Sequence, residues 1–295
     1  MSSLTIAPDA LQQIRPVKPG DRRRLAALIH LEPYVHQHPG WRAPLEQLDE
    51  EGFVVWARPN ALQGALALLP ETDEVAWVRL FAAAASVTPR EAWQALWPQA
   101  VAPFRQRGGR WVAAMPFADW FQRLLRTEGF EVVGQVEVLV WRNQPLPKIL
   151  PVEGARLRPM VAHDLAAVGQ VDAQAFGPFW RMAPSSFEIA LSHSVWATVV
   201  EDLTTGQILG FQISTPSPLG GHLARLAVHP RAQGRGVGRW LVGDVLSFFK
   251  RNRAEQVTLN TQGDNARALA LYEKMGFRKT EEAYPVYRYD LLAES

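Results

Sequence analysis

The chain repeats itself, and the repeat limits what it can fold into. Ile14-Arg15-Pro16, with Asp21 heading a helical run, is matched by Leu157-Arg158-Pro159 with Asp164 heading another, each pair 143 residues apart. Leu125 to Phe130 reads L-R-T-E-G-F and Tyr272 to Phe277 reads Y-E-K-M-G-F, 147 residues apart. In both, a helix stops at a glycine and a phenylalanine opens the next strand, as a glycine just past a helix C-terminus arranges. Offsets that nearly agree, and that are close to half of the 295 residues, predict two copies of one unit. Length points the same way, since a domain usually holds about 100–200 residues. Asn143 to Ala155 carries Pro145, Pro147 and Pro151 and no amphipathic period, which favours an extended connector. The expected organisation is a first domain over 1–145, a linker over 146–155 and a second domain over 156–295.

Composition removes several functional classes. Apolar residues are 47% and charged residues 20% of the chain, enough for two cores. Cysteine is absent, which excludes a disulfide framework, a zinc-thiolate site, an iron–sulfur cluster and a cysteine nucleophile. It also fits a reducing, cytoplasmic compartment. The 31 Lys and Arg against 29 Asp and Glu leave no bulk basicity for nucleic acid. No stretch nears the ~18 apolar residues of a membrane span. The first ten residues, MSSLTIAPDA, lack the basic and apolar regions of a secretory signal. No metal, nucleic acid or membrane partner is expected.

The second half reads as an α/β layer with a mixed sheet. A strand near 156–160 precedes a helix from Asp164 toward Phe176, and a shorter helix follows Pro184. Strands are expected over 195–200 and 207–214, around a turn at Thr204–Gly206, and over 223–228. A helix from Gly236 to Lys250 buries Val237, Leu241, Val245 and Phe248 at helical spacing. Then come a strand over 256–261, a helix capped by Asp264 and ending at Gly276, and a last strand over 284–291.

The informative segment is the turn between the 223–228 strand and the following helix. It carries Gly234, Gly236 and Gly238, which let backbone approach a ligand closely. The first N–H groups of a helix lack partners, and with the helix dipole they form an anion site, so a phosphate or pyrophosphate is the expected occupant. From Leu203 to Gly243 there is no Asp or Glu, while Arg225, Arg231, Arg235 and Arg239 are present, giving a locally positive field. The alternative is a solvated arginine face beside a tight turn. A dinucleotide fingerprint fails in both glycine registers, and no Gly-Lys followed by Ser or Thr is present for a Walker loop.

Gln233-x-x-Gly236-x-Gly238 after an apolar Leu-Ala-Val strand resembles motif A of the GNAT N-acetyltransferase family. Asn265-x-x-Ala268-x-x-x-Tyr272-x-x-x-Gly276-Phe277 resembles its motif B, in the right order and elements. The resemblance covers about 156–291. It implies two tandem GNAT-like domains, each a mixed, mainly antiparallel sheet flanked by helices, with acetyl-CoA as co-substrate. It implies that the pantetheine lies along the backbone of Leu226, Ala227 and Val228. The pyrophosphate then sits on the turn of Gln233, Gly234, Arg235, Gly236, Val237, Gly238 and Arg239. Asn265 would contact the pantetheine, and Tyr272 would lie near the sulfur as proton donor to the leaving thiolate. A core tyrosine is the plainer reading of Tyr272.

The general base departs from the family. Relatives often carry a glutamate on the strand before the turn, where this chain has His222, Leu223, Ala224 and Arg225, or five residues before the motif-B asparagine, where it has Asn260. His222 is the candidate base, with a water relay or a mere polar edge residue as alternatives. Phe176, Phe179, Trp180, Trp196 and Tyr287 are candidates for the acceptor wall, or equally for the core.

In the first half the glycine turn should fall near Val87–Trp93, but no glycine is there, Glu91 would oppose a phosphate, and Leu125 stands where Tyr272 would. This copy reads as degenerate and structural. The leading expectation is acetyl transfer from acetyl-CoA to a primary amine, on a small molecule or peptide, by the second half. The alternatives are a non-catalytic acyl-CoA-binding or regulatory protein and a protein N-terminal or lysine acetyltransferase.

Overall fold

The computed structural model describes residues 13–293, so the reading of the first ten residues lies outside the described residues. The chain forms two compact units, Met1–Val133 with Val286–Ser295, and Gly134–Pro285. This division differs from the boundary that the prolines suggest. The stretch 143–155 packs within the second unit: the Asn143 N–H donates to the Glu255 carbonyl at 3.0 Å, and Ile149 fills the space above Gly243, where a Cβ would lie 1.7 Å from Ile149 Cδ1.

The first unit begins β1 (Gln13–Pro16), α1 (Arg22–Leu31), β2 (Tyr34–Gln37), β3 (Phe53–Ala57), β4 (Leu62–Pro70) and β5 (Val75–Ala83). It continues α2 (Pro89–Gln106), β6 (Trp111–Ala114) and α3 (Asp119–Thr127). Strands β1, β3, β4 and β5 pair antiparallel in that order, and β5 pairs parallel with β6. Its apolar faces are sealed on one side by Trp93, Leu96 and Phe104 of α2 and Phe121 of α3. Leu25 and Leu28 of α1 seal the other.

The second unit contains most of β7 (Glu131–Arg142), then β8 (Ala155–Pro159), α4 (Leu165–Ala175), α5 (Pro184–His193), β9 (Trp196–Asp202), β10 (Ile208–Ser217) and β11 (Gly220–Val228). It ends with α6 (Val237–Arg251), β12 (Gln256–Gln262), α7 (Ala266–Lys274) and the first part of β13 (Arg278–Asp290). Strands β8 to β11 pair antiparallel in sequence order, and β11 pairs parallel with β12. Helices α6 and α7 cover one face with Val242, Val245, Phe249 and Tyr272; α4 and α5 pack against β10 from the rest of the layer.

Both units have the mixed, mainly antiparallel layer that the sequence leads one to expect, and their details repeat. Arg15 forks Asp21 at 2.6 and 2.9 Å while the Lys18 N–H donates to the same carboxylate. Arg158 forks Asp164 at 2.7 and 2.7 Å while the Val161 N–H does likewise. Each unit also carries one β-bulge at the matching place: Arg79 is skipped in the β4–β5 register and Ala224 in the β10–β11 register.

Three local expectations shift. The α6 stripe buries Phe249, while Phe248 is half-buried and stacks on Trp196 with ring centroids 4.5 Å apart. The cap of α7 is Asn265, not Asp264. The last strand starts at Arg278, because Phe277 already lies in the core and alternation carries on from it. Each unit's sheet is completed by a strand from a distant part of the chain. Val136–Arg142 of β7 pairs with β12, and Tyr287–Asp290 of β13 pairs with β6.

Candidate active site

Strands β11 and β12 run side by side only as far as Leu223 and Leu259. Next to that point Ala224 bulges out of the β10–β11 register. A bulge bends and twists its strand, so β11 turns away from β12. The separation opens a cleft of about 540 Å³ between residues 223–228 of β11 and 260–262 of β12. From Ala224 to Val228 the free edge is about 13 Å long at ordinary strand rise. It is held on its other side by β10 alone.

The glycine turn closes one end of the cleft. Gly234 and Gly236 have φ of +80° and +90°, a left-handed region that costs other residues about 1–2 kcal/mol. Gly236 is the N-cap of α6 and offers no side chain. Among the described residues, the backbone N–H groups of Gly236, Val237, Gly238 and Arg239 donate to nothing, and the first helical bond is Trp240 N–H to the Gly236 carbonyl at 3.0 Å. Gly238 packs closely for a different reason: a Cβ there would lie 3.1 Å from Leu271 Cδ2 of α7, which would have to give by a few tenths of an ångström. The Gln233 side chain is a brace. Its amide donates to the Val228 carbonyl at 3.2 Å, and its oxygen accepts from Arg267.

The electrostatics refine the expected positive field. Arg225 is neutralised by Asp172, which lies outside the carboxylate-free stretch, at 2.7 Å. Arg239 donates to the Lys148 carbonyl at 3.0 Å. The described lining of the cleft contains Arg225, Arg239, Arg267 and Lys274 and no Asp or Glu. A cleft of this sign concentrates anions.

Tyr272 and Asn265 line the same cleft. Tyr272 is 6% exposed and packs edge-on against Phe277 with ring centroids 5.8 Å apart. Burial pushes its phenol up to about 12, against a smaller opposing pull from the Arg225 charge. It is therefore both a core residue and a cleft residue. Asn265 caps α7, its side-chain oxygen accepting from the Ala268 N–H at 3.1 Å, and its amide nitrogen donates to Gln262 Oε1 at 3.5 Å.

His222 is not part of the cleft lining. It stands where β11 is still paired with β12, and its Nδ1 lies 2.9 Å from Thr258 Oγ1. Burial holds its imidazole below the usual range, so it is neutral at pH 7. Among the five acceptor-wall candidates, Phe176 alone reaches the cleft. Phe179 and Trp180 are half-buried on the loop beside it. Trp196 packs on α6, donating to Asp244 at 2.7 Å, and Tyr287 is fully buried in the core of the first unit. The bulge at Ala224 and the Asp172–Arg225 pair escaped the sequence reading; a carboxylate four residues before an aromatic loop was their only trace.

The matching places in the first unit are closed. Strand β2 pairs with Leu80–Ala83, on the edge of β5 that continues from its pairing with β6. Thr88 and Glu91 form a reciprocal capping box at the start of α2, Glu91 accepting from the Thr88 N–H at 2.8 Å. Leu125, in the position of Tyr272, is fully buried.

Residues 166–277 match the Acetyltransferase (GNAT) family, and the second half of the chain carries a GNAT-family acetyltransferase domain. The chain is 31% identical over 157 residues to the Mycothiol acetyltransferase of Saccharomonospora viridis, covering 47% of this chain and 51% of that protein. It thus spans about half the length of that relative. It is 29% identical over 131 residues to the N-alpha-acetyltransferase RimI of Mycobacterium tuberculosis, covering 42% of this chain and 79% of that protein. Among solved structures it resembles a tandem GNAT protein from the clavulanic acid biosynthesis pathway, with a TM-score of 0.64 and 16% identity over 95% of this chain and 98% of that one. The tandem GNAT fold expected from the repeat is borne out.

Proposed function

We propose that the second unit transfers an acetyl group from acetyl-CoA to a primary amine on a small molecule or peptide, and that the first unit has no ligand-binding role. One observation carries the reading. A free strand edge leads into a glycine-capped helix whose first N–H groups have no partner. A linear ligand with amides along its length and a diphosphate at its end satisfies both. The residues fit acetyl-CoA on those grounds and on the carboxylate-free lining.

The pantetheine bonds the edge at Leu226, Ala227 and Val228, and the diphosphate takes the N–H groups from Gly236 to Arg239. Charge building on the thioester oxygen during amine attack is met by a backbone N–H of that edge. Tyr272 stays protonated at pH 7 because its phenol titrates at about 12. It donates that proton to the departing thiolate. The amine proton leaves to water, since His222 lies outside the cleft lining and burial weakens its imidazole as a base.

Calorimetric titration with acetyl-CoA tests binding, and thiol release with an amine panel tests transfer. No binding to the second unit would end the proposal. A binding-only role is the second reading, favoured by the lack of any carboxylate in the described lining. Tight binding with no thiol release from any amine would select it.

A further inference from the structure

The loop after α4 is tied to the cleft by one buried carboxylate. Asp172 is 1% exposed, and both its oxygens are used. Oδ1 accepts from Arg225 Nε at 2.7 Å; Oδ2 accepts from Arg225 Nη2 at 2.8 Å and from the Met182 N–H at 3.0 Å. Arg225 Nη2 also donates to the Trp180 carbonyl at 2.8 Å. The guanidinium lies over the Phe176 ring, 3.7 Å from its centroid. Arg181 Nε donates to the Phe176 carbonyl at 3.1 Å, closing the loop on itself.

The place of this knot gives it meaning. Arg225 follows the bulged Ala224, at the end of the cleft opposite the glycine turn. Three points of the loop, at Phe176, Trp180 and Met182, are thereby referred to the strand that would carry the thioester. Net stability does not account for the arrangement, because a buried ion pair does little better than apolar residues of the same volume. What directional bonds add is a fixed position for the loop.

We propose that Asp172 and Arg225 form a positioning pair that pins the 176–182 loop over the reacting end of the cleft, so that this loop sets acceptor binding while the donor site stays independent of it. The proposal rests on the transfer reading above.

The test replaces Asp172 with Asn in the full chain. Acetyl-CoA affinity is measured by calorimetry, and thiol release is followed with glucosamine and with an alanyl-phenylalanine amide as the amine. Tryptic cleavage after Arg181, which lies in the loop, is followed in the native protein. In Asp172→Asn, acetyl-CoA affinity stays within about 3-fold while KM for the amine rises about 10-fold and kcat moves less. Cleavage after Arg181 speeds up about 10-fold as the loop opens. If donor affinity falls as much as acceptor KM rises, the pair merely holds the fold and the proposal is overturned. Unchanged amine KM and unchanged cleavage overturn it too. Should Asp172→Asn not fold, Asp172→Glu keeps the charge, displaces the carboxylate by one methylene from Arg225 and the Met182 N–H, and reads the same KM split and the same cleavage. A wild-type chain that releases no thiol with either amine breaks the transfer reading instead, and the cleavage comparison still decides the pinning.

Discussion

Helix α2 follows β5 and helix α6 follows β11 at equivalent points of the two repeats, yet their first turns are opposites. The start of α2 is filled by its own side chains: Thr88 accepts from the Glu91 N–H at 3.2 Å, and Glu91 returns to the Thr88 N–H at 2.8 Å. The start of α6 has glycine there and N–H groups facing the cleft. The strand edges differ in the same sense, since β2 occupies the edge of β5 and nothing among the described residues pairs with β11 past Leu223 on that side. A capping box and an added strand satisfy the same backbone groups that a diphosphate and a pantetheine would. One copy meets its hydrogen-bonding demand internally, and the other leaves those groups open.

That contrast can be broken or sharpened by experiment. The largest effect is expected from Gly236→Asp, which forces a left-handed backbone on a side chain and sets a negative charge at the helix start. Acetyl-CoA affinity should fall about 10³-fold by calorimetry. Glu91→Gln at the equivalent end of the first unit should leave it unchanged.

Acid should act on the first unit next. Burial holds His36 down to about 4, so the unfolded chain binds a proton that the folded one refuses between pH 6.5 and 4. Stability should therefore fall as pH drops through that window, by about 3 kcal/mol once pH 4 is reached. Urea unfolding at pH 7, 5.5 and 4 measures it, and His36→Phe should lessen the dependence, with His38, which burial also holds well below its usual value, accounting for the part that remains.

Tyr272→Phe should lower turnover about 100-fold with acetyl-CoA affinity nearly intact; equal losses in both would remove the proton-donor role. The smallest effect belongs to Thr88→Ala. It should cost about 1 kcal/mol of stability in urea unfolding and leave acetyl-CoA affinity unchanged.

Much of this was legible in the sequence because it is local. The Arg15–Asp21 and Arg158–Asp164 forks span six residues each and are visible as a repeated spacing. The glycines of the turn announce left-handed backbone, and the motif around Asn265 and Tyr272 sits on one short helix. The bulge at Ala224 was not legible, because a skipped register depends on the neighbouring strand and leaves no mark in alternation. The β2–β5 pairing was missed for the same reason. Asp172 meets Arg225 across 53 residues, and no periodicity reports such a meeting. The proline-rich stretch looked like a boundary because proline signals an extended backbone, yet an extended segment can also lie flat on a helix, as Ile149 does over Gly243.

The strands that complete the two sheets carry a consequence for how the chain is made. Trp141 and Leu139, which sit in the second unit's interior, are synthesised before that unit's other strands, whereas Tyr287 and Leu291 of the first unit's interior follow all of them. The amino-terminal copy keeps its sheet unfinished until Tyr287–Asp290 have been made. A chain stopped just before Tyr287 would damage the half already made rather than the half being made.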